Sequence, residues 1–139
     1  MPYIRVFEVA TFYTMFNLAP VGDYFVQLCG TTPCMLRGSS DLREVCKKVI
    51  GPEMQASDDG KLSWLEVECL GACCNAPMAQ ISTKEGDHYY EDLTPENFEQ
   101  LLNDLRAGRP VKTGTQNPKR HTSDPEGDNT TLTDPSLYD

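Results

Sequence analysis

The sequence predicts a mixed α/β domain in which a parallel βαβ half is followed by an antiparallel ββα half, with one helix ahead of both. Three observations carry that expectation. Two strand-like runs flank a helical stripe, so they need a crossover between parallel neighbours. A later pair of runs is joined by KEGD, a turn sequence that suits a hairpin. The best-signalled helix of the chain closes the pattern, from Thr94 to Gly108.

The elements follow in order. Residues 1–16, MPYIRVFEVATFYTMF, carry apolar side chains such as Ile4, Val6, Phe7, Val9, Phe12 and Met15, which wrap most of a helical wheel. A helix apolar nearly all round must be covered on several sides. The rest of the chain is too small to do so, and a preceding segment or another subunit is expected there, with Arg5 and Glu8 as polar exceptions at the rim. After the connector NLAPVGD, Tyr24 to Cys29 reads as a strand from its aromatic and β-branched content. Asp41 is expected to open a helix, with Glu44 placed as in a capping box and Leu42, Val45, Cys46 and Val49 as its stripe; Gly51 and Pro52 end it. Leu62 to Cys69 and Met78 to Thr83 read as strands, and His88 to Glu91 as the return arm of the hairpin. The closing helix has Thr94 as N-cap, Pro95 at the first position, a stripe of Phe98, Leu101, Leu102 and Leu105, and Gly108 as its stop.

That order is the one a thioredoxin-like domain uses. From Pro110 onward the chain is rich in Pro, Gly, Asn, Thr and Asp and poor in apolar residues, so it is expected to be extended or disordered. The expected organisation is therefore an N-terminal helix and connector over residues 1–20, a thioredoxin-like domain over 21–109 and a tail over 110–139.

Composition bounds the function. A chain of 139 residues makes one domain with a real core. Its formal net charge of −9 argues against a nucleic-acid surface, which needs clustered Lys and Arg. No apolar run approaches the roughly 20 residues that span a bilayer. Residues 1–30 carry no basic start followed by an apolar signal core. A soluble chain without direct membrane insertion is expected, compatible with a place on a membrane-bound assembly. Six cysteines in a chain with a core of its own fit metal-bound thiolates in a reducing compartment better than a disulfide framework.

Cys29 and Cys34 form C-x4-C in CGTTPC at the end of the first strand, and Cys69 and Cys73 form C-x3-C in CLGAC after the Leu62 strand. Strand-end loops on one edge of a βαβ unit can face one another, so four thiolates can converge. Small neighbours such as Gly30, Thr31, Gly71 and Ala72 allow backbone N–H groups close to the sulfurs. Two Cys pairs suit a 2Fe-2S cluster, one pair per iron, or a tetrahedral zinc. Zinc knuckles more often use C-x2-C, which favours the cluster but leaves zinc open. Cys46 lies on an apolar helical stripe and reads as a small core residue. Cys74 stays open on spacing alone, because moving the ligand from Cys73 to Cys74 would make both pairs C-x4-C.

VFEVATFYTMFN, CGTTPCMLRG, VECLGACCNAPM and YYEDLTPENFEQLL, in this order, resemble the thioredoxin-like 2Fe-2S ferredoxin subunits of NADH:quinone oxidoreductase, respiratory complex I, over roughly residues 2 to 110. The resemblance implies Cys29, Cys34, Cys69 and Cys73 as the cluster ligands, with Cys74 beside them and not bound. It also implies a cis Ala76-Pro77 peptide before the Met78 strand, and a further helical bundle ahead of the helix that this chain enters at Pro2.

The chain carries no constellation for catalysis of its own. His88 and His121 fall in a strand and in the tail, and no glycine-rich dinucleotide fingerprint or P-loop is present. The resemblance places NADH and FMN on a partner, the NADH- and FMN-binding flavoprotein subunit, beside a neighbouring peripheral-arm iron-sulfur subunit. It implies a location on the cytoplasmic face of a bacterial inner membrane, or the mitochondrial matrix side in a eukaryote. With four thiolates the oxidised cluster carries a charge of about −2, and Glu66 and Glu68 nearby disfavour reduction, so a low potential is expected, in the regime of plant-type clusters near roughly −400 mV. Alternatives are the equivalent subunit of an NAD-linked hydrogenase or formate dehydrogenase, and a zinc-stabilised interaction module.

Overall fold

A computed structural model describes residues 1–123. Its centre is a five-stranded sheet of order β2-β1-β3-β4-β5, made of β1 (Tyr24–Cys29), β2 (Leu62–Val67), β3 (Ala79–Ser82), β4 (Asp87–Glu91) and β5 (Gly114–Thr115). β1 pairs in parallel with β2 and antiparallel with β3; β3 and β4 form the hairpin, and β5 adds in parallel to β4. The helices are α1 (Tyr3–Phe12), α2 (Thr32–Leu36), α3 (Ser39–Val49) and α4 (Pro95–Arg106), with a 3-10 turn over Cys73–Asn75. The βαβ and ββα halves are therefore both present, as expected.

Alternation along the strands decides where the core lies. Val26 and Leu28 on β1, Leu62 and Trp64 on β2, and Ala79 and Ile81 on β3 are buried in one cluster with Leu42, Val45 and Cys46 of α3 and Phe98, Leu101, Leu102 and Leu105 of α4. Cys46 is thus core, and burial pushes its thiol up to about 12. The indole N–H of Trp64 donates to the Gly51 carbonyl at 2.8 Å, so the one tryptophan is buried without an orphaned donor. The opposite face carries Gln27, Leu65, Val67 and Gln80, which line an open groove of about 680 Å³ running from Met15 to Cys69.

Some boundaries move. The first helix ends at Phe12, where Tyr13 turns extended while its N–H still reaches the Val9 carbonyl. No residue of α1 is buried, and Tyr3 and Phe12 are 82% and 77% exposed. Asp41 does not cap α3. The helix starts two residues earlier, behind Gly38 in the left-handed region, and Asp41 sits in the first turn, where its charge favours the positive end of the helix. The loop expected between the first strand and that helix holds α2, with Pro33 in its first turn. The Leu62 strand stops at Val67. The Ala76-Pro77 peptide is cis, as the resemblance implied.

β5 is the element that the sequence did not announce. Residues 114–115 sit in the stretch expected to be an extended or disordered tail, yet both are buried at the sheet edge. Their two residues are too few to show a periodicity, and their partners are polar backbone groups. Residues 124–139 of that stretch lie outside the described residues.

Thr94 caps α4 as expected, its Oγ accepting from the Asn97 N–H, and the Asn97 side chain adds a return bond by accepting from the Thr94 N–H at 2.8 Å. Thr94→Ala removes one half of this exchange and is expected to lower stability by about 1 kcal/mol. Urea midpoints of the two proteins measure the loss; an unchanged midpoint would contradict the cap.

Candidate metal centre

Parallel pairing brings the two cysteine loops together. Cys29 stands opposite Val67 in register, and the Gly30 N–H donates to the Val67 carbonyl at 3.0 Å, so the chain leaves β1 and β2 at one edge, side by side. Cys29 ends β1, and Cys34 follows within α2; both are 1% exposed. Cys69 and Cys73 lie on the exposed loop that begins after β2, Cys73 opening the 3-10 turn. Two thiols are thus deep and two face solvent.

Within the second pair the sulfurs are 3.2 Å apart. Cys34 and Cys29 are hydrogen-bonded through their side chains, and a backbone hydrogen bond from Met78 reaches Cys34. Thr31 joins the two pairs: its hydroxyl is 3.4 Å from Cys29 Sγ and also hydrogen-bonds Cys69. The Gly71 N–H donates to Cys69 Sγ at 3.4 Å. Among the described residues no three His, Cys, Asp or Glu side chains converge as a ready single-ion site. The thiols stand as two neighbouring pairs.

The protons are shared unequally. Burial, then the bond to Cys29, raises Cys34 to about 12. The bond from Cys73, then the Gly71 N–H, lowers Cys69, while the same Cys69 partnership raises Cys73. Among Cys34, Cys69 and Cys73, Cys69 is therefore the first to ionise.

Several contributors were invisible in the spacing. Arg43 of α3 forms an ion pair with Glu66 of β2: Nη2 donates to Oε1 at 3.0 Å and Nε lies 2.8 Å from Oε2, which sets a cation beside a carboxylate that the sequence alone shows as a bare charge near the cysteines. The same Glu66 side chain lies over Gly30: a Cβ there would come within 2.1 Å of Oε1, so any larger residue would have to push the Glu66 carboxylate aside. Tyr89 Oη donates to the Leu70 carbonyl at 2.6 Å and steadies the second cysteine loop from β4. The pairing of Arg43 with Glu66 spans 23 residues, a separation that no local pattern encodes. His88 stands in β4 opposite Ile81, and His121 contributes its carbonyl, not its ring, to a hydrogen bond from Asn75.

The family model for thioredoxin-like [2Fe-2S] ferredoxins matches residues 1–106. The chain belongs to this family. As a thioredoxin-like [2Fe-2S] ferredoxin it has close relatives in sequence: it is 55% identical over 107 residues to an NADH-quinone oxidoreductase subunit of Rickettsia bellii, covering 76% of this chain and 62% of that protein. With the corresponding NADH-quinone oxidoreductase subunit of Rickettsia conorii it shares 51% over 107 residues, at the same coverage. The chain thus spans about three fifths of the length of the relatives it matches. Among solved structures, an NAD+-reducing [NiFe]-hydrogenase in the H2-reduced state aligns with TM-score 0.62 and 20% identity, over 79% of this chain and 18% of that one. A thioredoxin-like [2Fe-2S] ferredoxin from Aquifex aeolicus aligns with TM-score 0.52 and 18% identity, over 72% of this chain and 99% of that one. These structural likenesses bear on the fold.

The unequal thiols set an order of reactivity that alkylation can read. In the metal-free chain Cys69 is expected to be labelled ahead of Cys73, Cys34 and Cys46, with a half-maximal rate below the ordinary thiol pKa of 9.0, because a lowered pKa gives thiolate at lower pH. Cys34 and Cys46, both raised to about 12, stay protonated and unlabelled near neutrality. Mass spectrometry after brief iodoacetamide treatment across a pH series assigns each site; Cys46 labelling as fast as Cys69 would contradict this order.

Proposed function

We propose that this chain carries one 2Fe-2S cluster, with Cys29 and Cys34 holding one iron and Cys69 and Cys73 the other, and that it serves as an electron-transfer subunit of NADH:quinone oxidoreductase. The observation that carries the reading is the pairing itself: two close thiol pairs at adjacent ends of parallel strands, bridged by Thr31, with backbone donors from Gly71 and Met78 at the sulfurs. Soft thiolates favour iron-sulfur clusters and zinc over harder ions, and two pairs match two irons. The bound cluster supplies one-electron chemistry. The protein holds the sulfurs, excludes water from the Cys29 and Cys34 side, and gives N–H donors to the negative sulfurs, a lever on potential. Cys46, in the core, stays outside the ligand set, and so does Cys74, which the resemblance places beside the ligands and unbound.

The partner follows from what this sequence lacks and from its relatives. NADH and FMN belong on the flavoprotein subunit, which exchanges single electrons with this site, beside a neighbouring peripheral-arm iron-sulfur subunit. No helix among the described residues is long and apolar enough to cross a membrane, which fits a peripheral place in the complex, on the cytoplasmic or matrix side. The fold likeness to the NAD+-reducing hydrogenase supports a second reading, the equivalent subunit of that kind of enzyme. The 55% identity to an NADH-quinone oxidoreductase subunit favours the first.

Single Ala replacements of Cys29, Cys34, Cys69 and Cys73 are expected to abolish the native visible absorption and the stoichiometric iron and sulfide, since each strips one iron of a thiolate. Cys74→Ala and Cys46→Ala keep both, the latter costing about 1 kcal/mol of stability. A Cys74→Ala protein without cluster beside a normal Cys73→Ala protein would falsify the assignment.

Electron delivery gives an independent check. NADH should leave the cluster of the isolated chain oxidised, dithionite should reduce it, and added flavoprotein should confer reduction by NADH. Stopped-flow absorbance follows all three; bleaching by NADH alone would make this chain a self-sufficient redox module.

A further inference from the structure

The chain returns to its own cysteine loop beyond residue 106, where the family match ends. β5 attaches to β4 with Gly114 beside Tyr90 and Thr115 beside Glu91, and the Gln116 N–H donates to the Glu91 carbonyl at 2.9 Å. Gly114 permits the return: its φ is +76°, and a Cβ there would lie 2.2 Å from Thr122 Cγ2. Residues 117–123 then reach the 3-10 turn that starts at Cys73.

Two polar clamps meet there. Arg120 donates from Nη1 to Asp92 Oδ1 at 2.7 Å and from Nη2 to the carbonyl of Cys74, the residue next to Cys73. Asn75 Nδ2 donates to Glu91 Oε2 at 2.6 Å and to the His121 carbonyl at 2.7 Å. Glu91 is 0% exposed, and its carboxyl group also accepts from the Ser123 N–H at 2.9 Å and from the Ser123 hydroxyl. A buried carboxyl group is costly unless its oxygens are hydrogen-bonded. Glu91 therefore requires Asn75 and Ser123 together, and so fastens turn and returning segment to one point.

The backbone of the turn is correspondingly accounted for. The carbonyls of Ala72 and Cys73 accept from the Asn75 and Ala76 N–H groups within the turn, at 3.0 and 3.3 Å. Those of Asn75 and Pro77 accept from Asp92 and Leu93, at 2.8 and 3.0 Å. The Cys74 carbonyl has Arg120.

We propose that residues 114–123 form a strap that positions Cys73, with Arg120 and Glu91 as positioning residues acting through the Cys74 carbonyl and the Asn75 side chain. The proposal deepens the cluster reading above and rests on it for the role of Cys73. The strap holds the turn that opens at Cys73, a solvent-facing thiol with less surrounding structure than the buried pair to fix it.

The test uses the full chain. In metal-free protein, Arg120→Ala is expected to speed hydrogen exchange of the Asn75 and Ala76 amides on the order of tenfold, while the Ile50 amide in the α3 cap is unchanged. Ser123→Ala, which leaves every backbone bond of the strap intact, should give a smaller acceleration at the same two amides. Near-UV circular dichroism of Trp64 shows whether the core is intact in each variant. After cluster loading, Arg120→Ala should change the g-anisotropy of the reduced cluster in paramagnetic resonance. Arg120→Lys keeps the charge but cannot span both acceptors, so it should rescue only in part. Unchanged exchange in both Arg120→Ala and Ser123→Ala would overturn the strap. Full rescue of the resonance spectrum by Arg120→Lys would reduce Arg120 to a charge effect and overturn its positioning role. If the parent takes up no iron and sulfide, the cluster reading fails, and exchange in the metal-free chain still decides the strap.

Discussion

Parallel, in-register pairing of β1 with β2 is the constraint on which the rest of the site depends. Parallel neighbours release their chains at the same edge of a sheet, whereas antiparallel neighbours release them at opposite edges. Cys29 beside Val67 therefore starts the two cysteine loops from neighbouring points. The crossover needed for such a pairing is α3, whose Leu42, Val45 and Cys46 are buried in the same core as Trp64 and Leu62. Helix packing on one face of the sheet thus fixes the register that the edge then uses.

Depth divides the site. Cys29 and Cys34 are enclosed with Ala72, Ala76 and Met78, while Cys69 and Cys73 sit on the outer loop. The buried pair gets its rigidity from the strand end and α2. The outer pair gets its rigidity from longer-range polar contacts: Tyr89 on the Leu70 carbonyl, Thr31 from the first loop, and Arg120 on the Cys74 carbonyl. Charge is balanced locally as well. Glu66, which would otherwise stand as a bare anion near four thiols, is engaged by Arg43.

What was legible in the sequence was whatever has a short period or a fixed local grammar. The stripe of α4, its Thr94 cap, the KEGD hairpin and the core placement of Cys46 are all of that kind. The convergence of the two loops followed from the βαβ order. α3 began earlier than Asp41 because Gly38, in the left-handed region, already turns the chain, a state that residue spacing does not reveal. β5 escaped because its hold on the sheet is by backbone groups and its neighbours are polar. Glu91 and Asn75 look like surface residues in a sequence; only the fold, by burying both and aiming the Asn75 amide at the Glu91 carboxyl group, makes them partners.

The returning segment also carries a consequence for the order of events in synthesis. A chain emerges from its N-terminus onward, and Arg120 and Ser123 lie after every one of the four paired cysteines. All four thiols are consequently available while the turn at Cys73 still lacks its last two clamps. The outer loop gains these clamps only once residues 120–123 are made, so a chain halted before residue 120 would present a complete set of sulfurs on an unfastened loop.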